Sequence, residues 1–76
     1  MEEYKVIRII EDSKGRTTTI PKMGNKVDCQ MYVRDAYYNK KWRIGINNNF
    51  RFDDENLEYA GIETSSYKIY WKVVKA

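Results

Sequence analysis

Five carboxylates fall within eleven residues of this 76-residue chain: Asp53, Asp54, Glu55, Glu58 and Glu63. Such a run can hold a cation, supply an acid–base pair or dock a basic partner. The calcium-loop pattern fails, because ligands at alternate positions and a central Gly are missing. The plainer reading is a solvated helix start, where negative charge meets the positive end of the helix dipole. The remaining catalytic options are few. There is no His, which removes Ser–His and Cys–His nucleophile pairs and His metal ligands. The single Cys, Cys29, cannot form an internal disulfide or a Cys-based zinc site. It falls on an apolar face and reads as a small buried hydrophobe. Gly24-Asn25-Lys26 lacks the upstream Gly of a phosphate loop. These residues predict no enzyme, no cofactor and no metal.

Binding chemistry is better represented. Outside the acidic run, 14 basic residues face 6 acidic ones. Lys41 and Arg43 share one strand face, Lys68, Tyr70 and Lys72 share another, and Tyr32 and Arg34 occupy the polar face of a third. Cations interleaved with aromatic rings suit single-stranded nucleic acid, through phosphate attraction and base stacking. No RNP-type or cold-shock signature accompanies them, and the net charge is only +3. The tyrosine count, seven, is the most unusual feature. Tyr is enriched at protein interfaces because it buries area at little rotamer cost and keeps a polar tip. Tyr37 and Tyr38, beside Lys40 and Lys41, are therefore the expected anchors for a partner protein. Trp42 and Trp71 lie on apolar faces and are expected in the core.

The elements that must position these residues show a dominant period of two. Val27, Cys29, Met31 and Val33 alternate with polar or amphipathic residues, as in a half-buried strand. Trp42, Ile44 and Ile46 give a second strand, and Tyr67, Ile69, Trp71 and Val73 a third. Tyr4 to Glu11 is apolar on both faces except at Lys5 and Arg8. Arg16 to Lys22 is Thr-rich, but Pro21 removes a ladder donor and sends it to an edge or a strand end. Asp12-Ser13-Lys14-Gly15 reads as a hairpin turn, Asp35 to Lys40 as a longer hairpin loop, and Asn47-Asn48-Asn49 as a turn before a short strand, Phe50 to Phe52. A helix over 26–39 competes, since Val27 and Met31 are four apart, but alternation fits that segment more cleanly. One short helix is expected near 54–60, capped by Asp53 or Asp54 and stopped at Gly61.

The predicted fold is all-β and mainly antiparallel: a small five- to six-stranded barrel or rolled sheet with that one short helix. An OB-like barrel or an open meander are the alternatives. The element order resembles that of SH3-like barrels, in which a short helical turn precedes the last strand. Residues 1–76 make a single small domain, near the lower size limit for folding unaided. A core this small rarely supplies more than about 3–5 kcal/mol, so a deep catalytic cleft would compete with folding itself. One Cys favours a reducing compartment. The N-terminus lacks the charged-then-apolar pattern of a signal peptide, and no apolar stretch approaches the ~20 residues of a membrane span. A cytoplasmic protein is expected. The Asn-, Tyr- and Lys-rich bias is common in AT-rich genomes, including those of phages and mobile elements.

The leading functional reading is a binding module that occupies a partner protein's surface, as inhibitor or adaptor, through Tyr37, Tyr38, Lys40 and Lys41. The alternative is a single-stranded nucleic-acid binder using Lys41, Arg43, Lys68, Tyr70 and Lys72. A third reading is a structural subunit that assembles through edge strands.

Overall fold

A computed structural model describes residues 2–76. Two long strands, β1 (Tyr4–Asp12) and β2 (Gly15–Gly24), are followed by a helix, α1 (Lys26–Ile44). Three further strands complete the chain: β3 (Asn49–Phe52), β4 (Tyr59–Glu63) and β5 (Tyr67–Lys75). The five strands form one antiparallel sheet in the order β2-β1-β5-β4-β3. The mainly antiparallel sheet expected from the alternation is thus present. Of the two expected forms the rolled sheet fits: among the described residues β2 and β3 stand at opposite edges with no ladder closing a barrel between them.

The largest correction concerns residues 26–46. Val27–Arg34 is not a strand, Asp35–Lys40 is not a hairpin loop, and Trp42–Ile46 is not a strand; α1 runs through Ile44. Asn25 starts it, its side-chain oxygen accepting from the Asp28 N–H at 2.8 Å, which satisfies a donor the first turn leaves open. No Gly or Pro interrupts residues 26–44. Gly45 ends the helix at φ 81, a left-handed value that Gly adopts without a Cβ clash. Cys29, Val33 and Tyr37, four apart, form the buried ridge. Half of the period-two set, Val27 and Met31, faces solvent instead.

The short helix expected near 54–60 is absent. Asp53 does cap, but it caps a single turn: its carboxylate accepts from the Asn56 N–H at 3.1 Å and its carbonyl from the Leu57 N–H at 2.8 Å. Leu57 closes that turn at φ 56, and the chain returns at once as β4. The helix therefore precedes β3 rather than the last strand, and the SH3-like order is not followed.

Smaller readings hold. Asp12 accepts from the Lys14 N–H at 2.8 Å in the first hairpin turn, and Gly15 takes φ 129. β2 is an edge strand, and its ladder shifts register between the pairs of Val6 and Arg8, where Ile20 and Pro21 fall. Proline at a bulge loses no ladder bond that the sheet needs.

The helix covers one face of the sheet, crossing β1, β5 and β4. Between the layers lie Val6, Cys29, Val33, Tyr37, Ala60, Ile62, Ile69 and Trp71. Among the described residues no second layer covers the other sheet face.

Candidate functional site

Three surfaces carry the residues with binding chemistry. The first is the outer side of α1. Val27, Met31, Tyr38 and Trp42 are spaced by four, seven and four, which confines them to about 60° of helical arc and spreads them over about 22 Å. Their exposures are 59%, 36%, 44% and 86%. Trp42, expected in the core, stands almost fully in water, because its position is turned away from the Cys29–Val33–Tyr37 ridge. Tyr37 and Tyr38, expected to project together, are separated by the helical turn: Tyr37 is buried and Tyr38 is not.

The two lysines grouped with them bend onto the protein's own rings. Lys40 Nζ lies 5.1 Å from the Tyr67 ring centroid, and Lys41 Nζ lies 5.0 Å from that of Phe50 and 5.7 Å from that of Tyr37. These are cation–π contacts that leave each charge at the surface. Of the four expected protein anchors, Tyr38 alone joins the exposed stripe.

The second surface is the open sheet face. Cross-strand register places Arg51, Gly61, Tyr70 and Ile9 in one line across β3, β4, β5 and β1. The next line holds Tyr59, Lys72 and Ile7, and the line on the other side holds Glu63, Lys68 and Glu11. The Tyr59 and Tyr70 rings sit 6.3 Å apart. They close over Gly61, where a Cβ would lie 3.0 Å from both Tyr59 Oη and Tyr70 Cδ1. A shallow depression of about 220 Å³ opens there, lined also by Arg51, Lys68 and Asn49. Burial pushes the Tyr59 phenol above its ordinary value, so it stays a protonated donor. Lys68 pairs with Glu63 at 3.5 Å and Arg16 with Glu11 at 2.7 Å. Lys5, Arg51 and Lys72 have no ion-pair partner among the described residues.

This face unites three of the five residues expected for nucleic acid, Lys68, Tyr70 and Lys72. Lys41 and Arg43 belong to α1, on the other side of the sheet, and the structure does not join them to this set. Tyr59 and Arg51 complete the face and were not legible, because β4 read as the end of a helix.

The third surface is an open cleft of about 500 Å³ between α1 and strands β1 and β5. Arg8, Lys40 and Arg43 line it, above a floor that includes Ile10, Ile69 and Trp71.

The acidic run gathers no metal site: among the described residues no three His, Cys, Asp or Glu side chains converge. Three of its members instead serve structure. Asp53 caps its turn, Glu58 pairs with Lys26 at 3.1 Å, and Glu63 holds Lys68. No helix among the described residues is long and apolar enough to cross a membrane. Cys29 is fully buried and unpaired. The edge β2 offers backbone groups for pairing, but Pro21 and the bulge beside it interrupt the run.

The chain matches no protein-family model, and no curated protein or solved structure is significantly similar to it.

Proposed function

We propose that this protein is a non-enzymatic, cytoplasmic binding module that occupies the surface of a partner protein, as inhibitor or adaptor. The observation that carries the reading is the stripe Val27–Met31–Tyr38–Trp42 on the outer side of α1. Trp, Tyr and Met are the residue types that anchor protein interfaces. A chain with so small a core keeps a Trp out of it only at a cost in stability, and a partner that buries the ring offsets that cost. The spacing is that of a helix laid into a groove. Arg34 and Lys41 flank the C-terminal half of the stripe, against Asp35 alone, while Lys40 and Arg43 turn to the cleft on the sheet side of the helix. The partner that fits is therefore an apolar groove with an acidic rim. A nuclease-treated lysate passed over wild-type protein and over a Tyr38→Ser/Trp42→Ser variant tests this. One stoichiometric protein retained by the wild type and lost by an equally stable variant supports the reading. Retention that ignores both replacements removes it.

A second reading rests on the open sheet face. Tyr59 and Tyr70 over Gly61, beside Arg51, Lys68 and Lys72, supply stacking platforms and phosphate contacts for single-stranded nucleic acid. Such binding would weaken with salt, by roughly 0.7 log units in affinity per phosphate contact for each log unit of salt on single strands. Titration of oligothymidylate against wild type and Tyr70→Ala, at low and high salt, tests it. Affinity that is insensitive to salt and to Tyr70 excludes this face.

A further inference from the structure

Arg8 breaks the pattern of its own strand. On β1 the residues that face the helix are Tyr4, Val6 and Ile10, and Arg8 falls between them on the same side, directly opposite Trp71 in the ladder. It is half-buried. A guanidinium at such a position is ordinarily matched by a carboxylate. Here its Nε donates to Thr19 Oγ1 at 3.2 Å, and no acid pairs with it among the described residues. Across the cleft stand Lys40 and Arg43, one helical turn apart and likewise without an ion-pair partner among the described residues, the Lys40 ammonium resting 5.1 Å from the Tyr67 ring centroid. The one acid on the rim, Asp35, is held by Arg34 at 3.1 Å. Three cations thus line one concavity with no counter-charge of their own.

We infer that the cleft between α1 and strands β1 and β5 binds a phosphate monoester carried on a planar, partly apolar body, which is the chemistry of a mononucleotide. Two guanidiniums and an ammonium match a dianion with several acceptor oxygens, whereas one carboxylate would leave cations unsatisfied. The volume, about 500 Å³, lies in the range of small-molecule sites, roughly 300–1,000 Å³. Ile10, Tyr32 and Ala36 give the body an apolar lining above the buried Ile69 and Trp71, and the Asn39 amide at the rim offers a donor and an acceptor to a base edge. The site lies on the helix side of the sheet, away from Tyr59 and Tyr70, and depends on neither reading of the function.

The test is a titration of the ¹⁵N-labelled protein with AMP, adenosine and inorganic phosphate, following the Arg8 and Arg43 Nε–H resonances. AMP should shift both saturably, adenosine should shift neither, and inorganic phosphate should bind at least about tenfold more weakly than AMP. Arg43→Ala, at an exposed position that leaves folding intact, and Arg8→Gln should each weaken AMP at least about tenfold, as expected for loss of a hydrogen bond to a charged group. Equal binding of adenosine and AMP overturns the inference. So do AMP-induced shifts confined to Tyr59 and Tyr70, or an affinity unchanged in Arg43→Ala.

Discussion

Tyr37 stacks on Phe52, with ring centroids 4.7 Å apart and planes within 4° of parallel. The centroid distance exceeds the thickness of a ring, so the stack is offset, the arrangement that ring quadrupoles favour. It joins the middle of α1 to the edge strand β3, and Tyr38 adds an edge-on contact to the same Phe52 at 5.4 Å. Adjacent tyrosines therefore have opposite duties. Tyr37→Ala should cost about 3–5 kcal/mol, in line with other buried aromatic truncations. Tyr38→Ala should cost no more than about 1 kcal/mol. Urea unfolding of the two variants separates them. Equal losses would mean that Tyr38 shares the core.

The two tryptophans make a similar contrast. Trp71 is 3% exposed and Trp42 is 86% exposed. Trp71→Ala should destabilise by about 3–5 kcal/mol, enough to unfold most molecules of a domain this small. Trp42→Ala should stay within about 0.5 kcal/mol. Intrinsic fluorescence reports the same difference directly: Trp71→Phe should leave a red-shifted, readily quenched emission, and Trp42→Phe a blue-shifted, protected one. Acrylamide quenching that is alike in both variants would contradict the face assignment.

Asn25 is the start signal of α1, and its loss should be felt as a cap loss. Asn25→Ala should cost about 1 kcal/mol, and Asn25→Asp should cost far less because its carboxylate also accepts from the Asp28 N–H. Denaturant midpoints of the two variants check this. Equal midpoints for Ala and Asp would show that the cap bond contributes nothing.

Alkali should weaken the fold. Burial pushes the Cys29 thiol above its ordinary value, and the Tyr59 phenol is raised mainly for the same reason. Both groups ionise more readily once unfolded. Their contribution is therefore fully present at neutral pH and is lost as pH rises past the unfolded thiol value, about 8.5. Stability measured from pH 7 to 10.5 should fall, and Cys29→Ala should flatten the first part of that fall. Thiol labelling should meanwhile stay slow at pH 8 until denaturant is added. Rapid labelling of the native protein would show that Cys29 is reachable.

Much of the sheet was legible because strands in half-buried sheets alternate. β1, β2 and β5, the first hairpin turn and the edge placement of Pro21 all follow from period-two patterning and turn chemistry. The helix competed over 26–39 but lost to the alternation, and its outer stripe is the reason. With Val27, Met31, Tyr38 and Trp42 facing solvent and Cys29, Val33 and Tyr37 facing the sheet, apolar residues occur all round α1. The 3.6-residue period is masked and a false alternation emerges. Segments where local patterning misleads are often those shaped by function. β4 was missed because Gly61 imitates a helix stop, when its absent side chain makes room for two tyrosine rings. Lys68, Tyr70 and Lys72 were found together because they share one strand. Arg51 and Tyr59 reach that face from other strands, through pairings that no local pattern reveals. Arg8 did leave a signal, a charge inside an otherwise apolar run, but its partners across the cleft come from a helix that alternation had hidden.

The central ladder of the sheet joins β1 to β5, from Tyr4 against Lys75 to Asp12 against Tyr67, so the paired residues are 55 to 71 positions apart in sequence. Non-local pairings of this kind slow the search for the native state, since loop entropy is lost before any contact is gained. The β1–β2 hairpin, α1 and the β4–β5 hairpin can each form locally, and their docking along the β1–β5 seam is the step that waits for the whole chain. During synthesis the β1–β2 hairpin and helix would emerge with the inner edge of β1 unpaired until Tyr67–Lys75 has left the ribosome. A circular permutant that links residues 2 and 76, whose neighbours already touch through the Ala76 N–H to Glu3 carbonyl bond at 2.9 Å, and opens the chain at Asn47 would make that seam a local hairpin. It should refold faster than the natural order at similar stability.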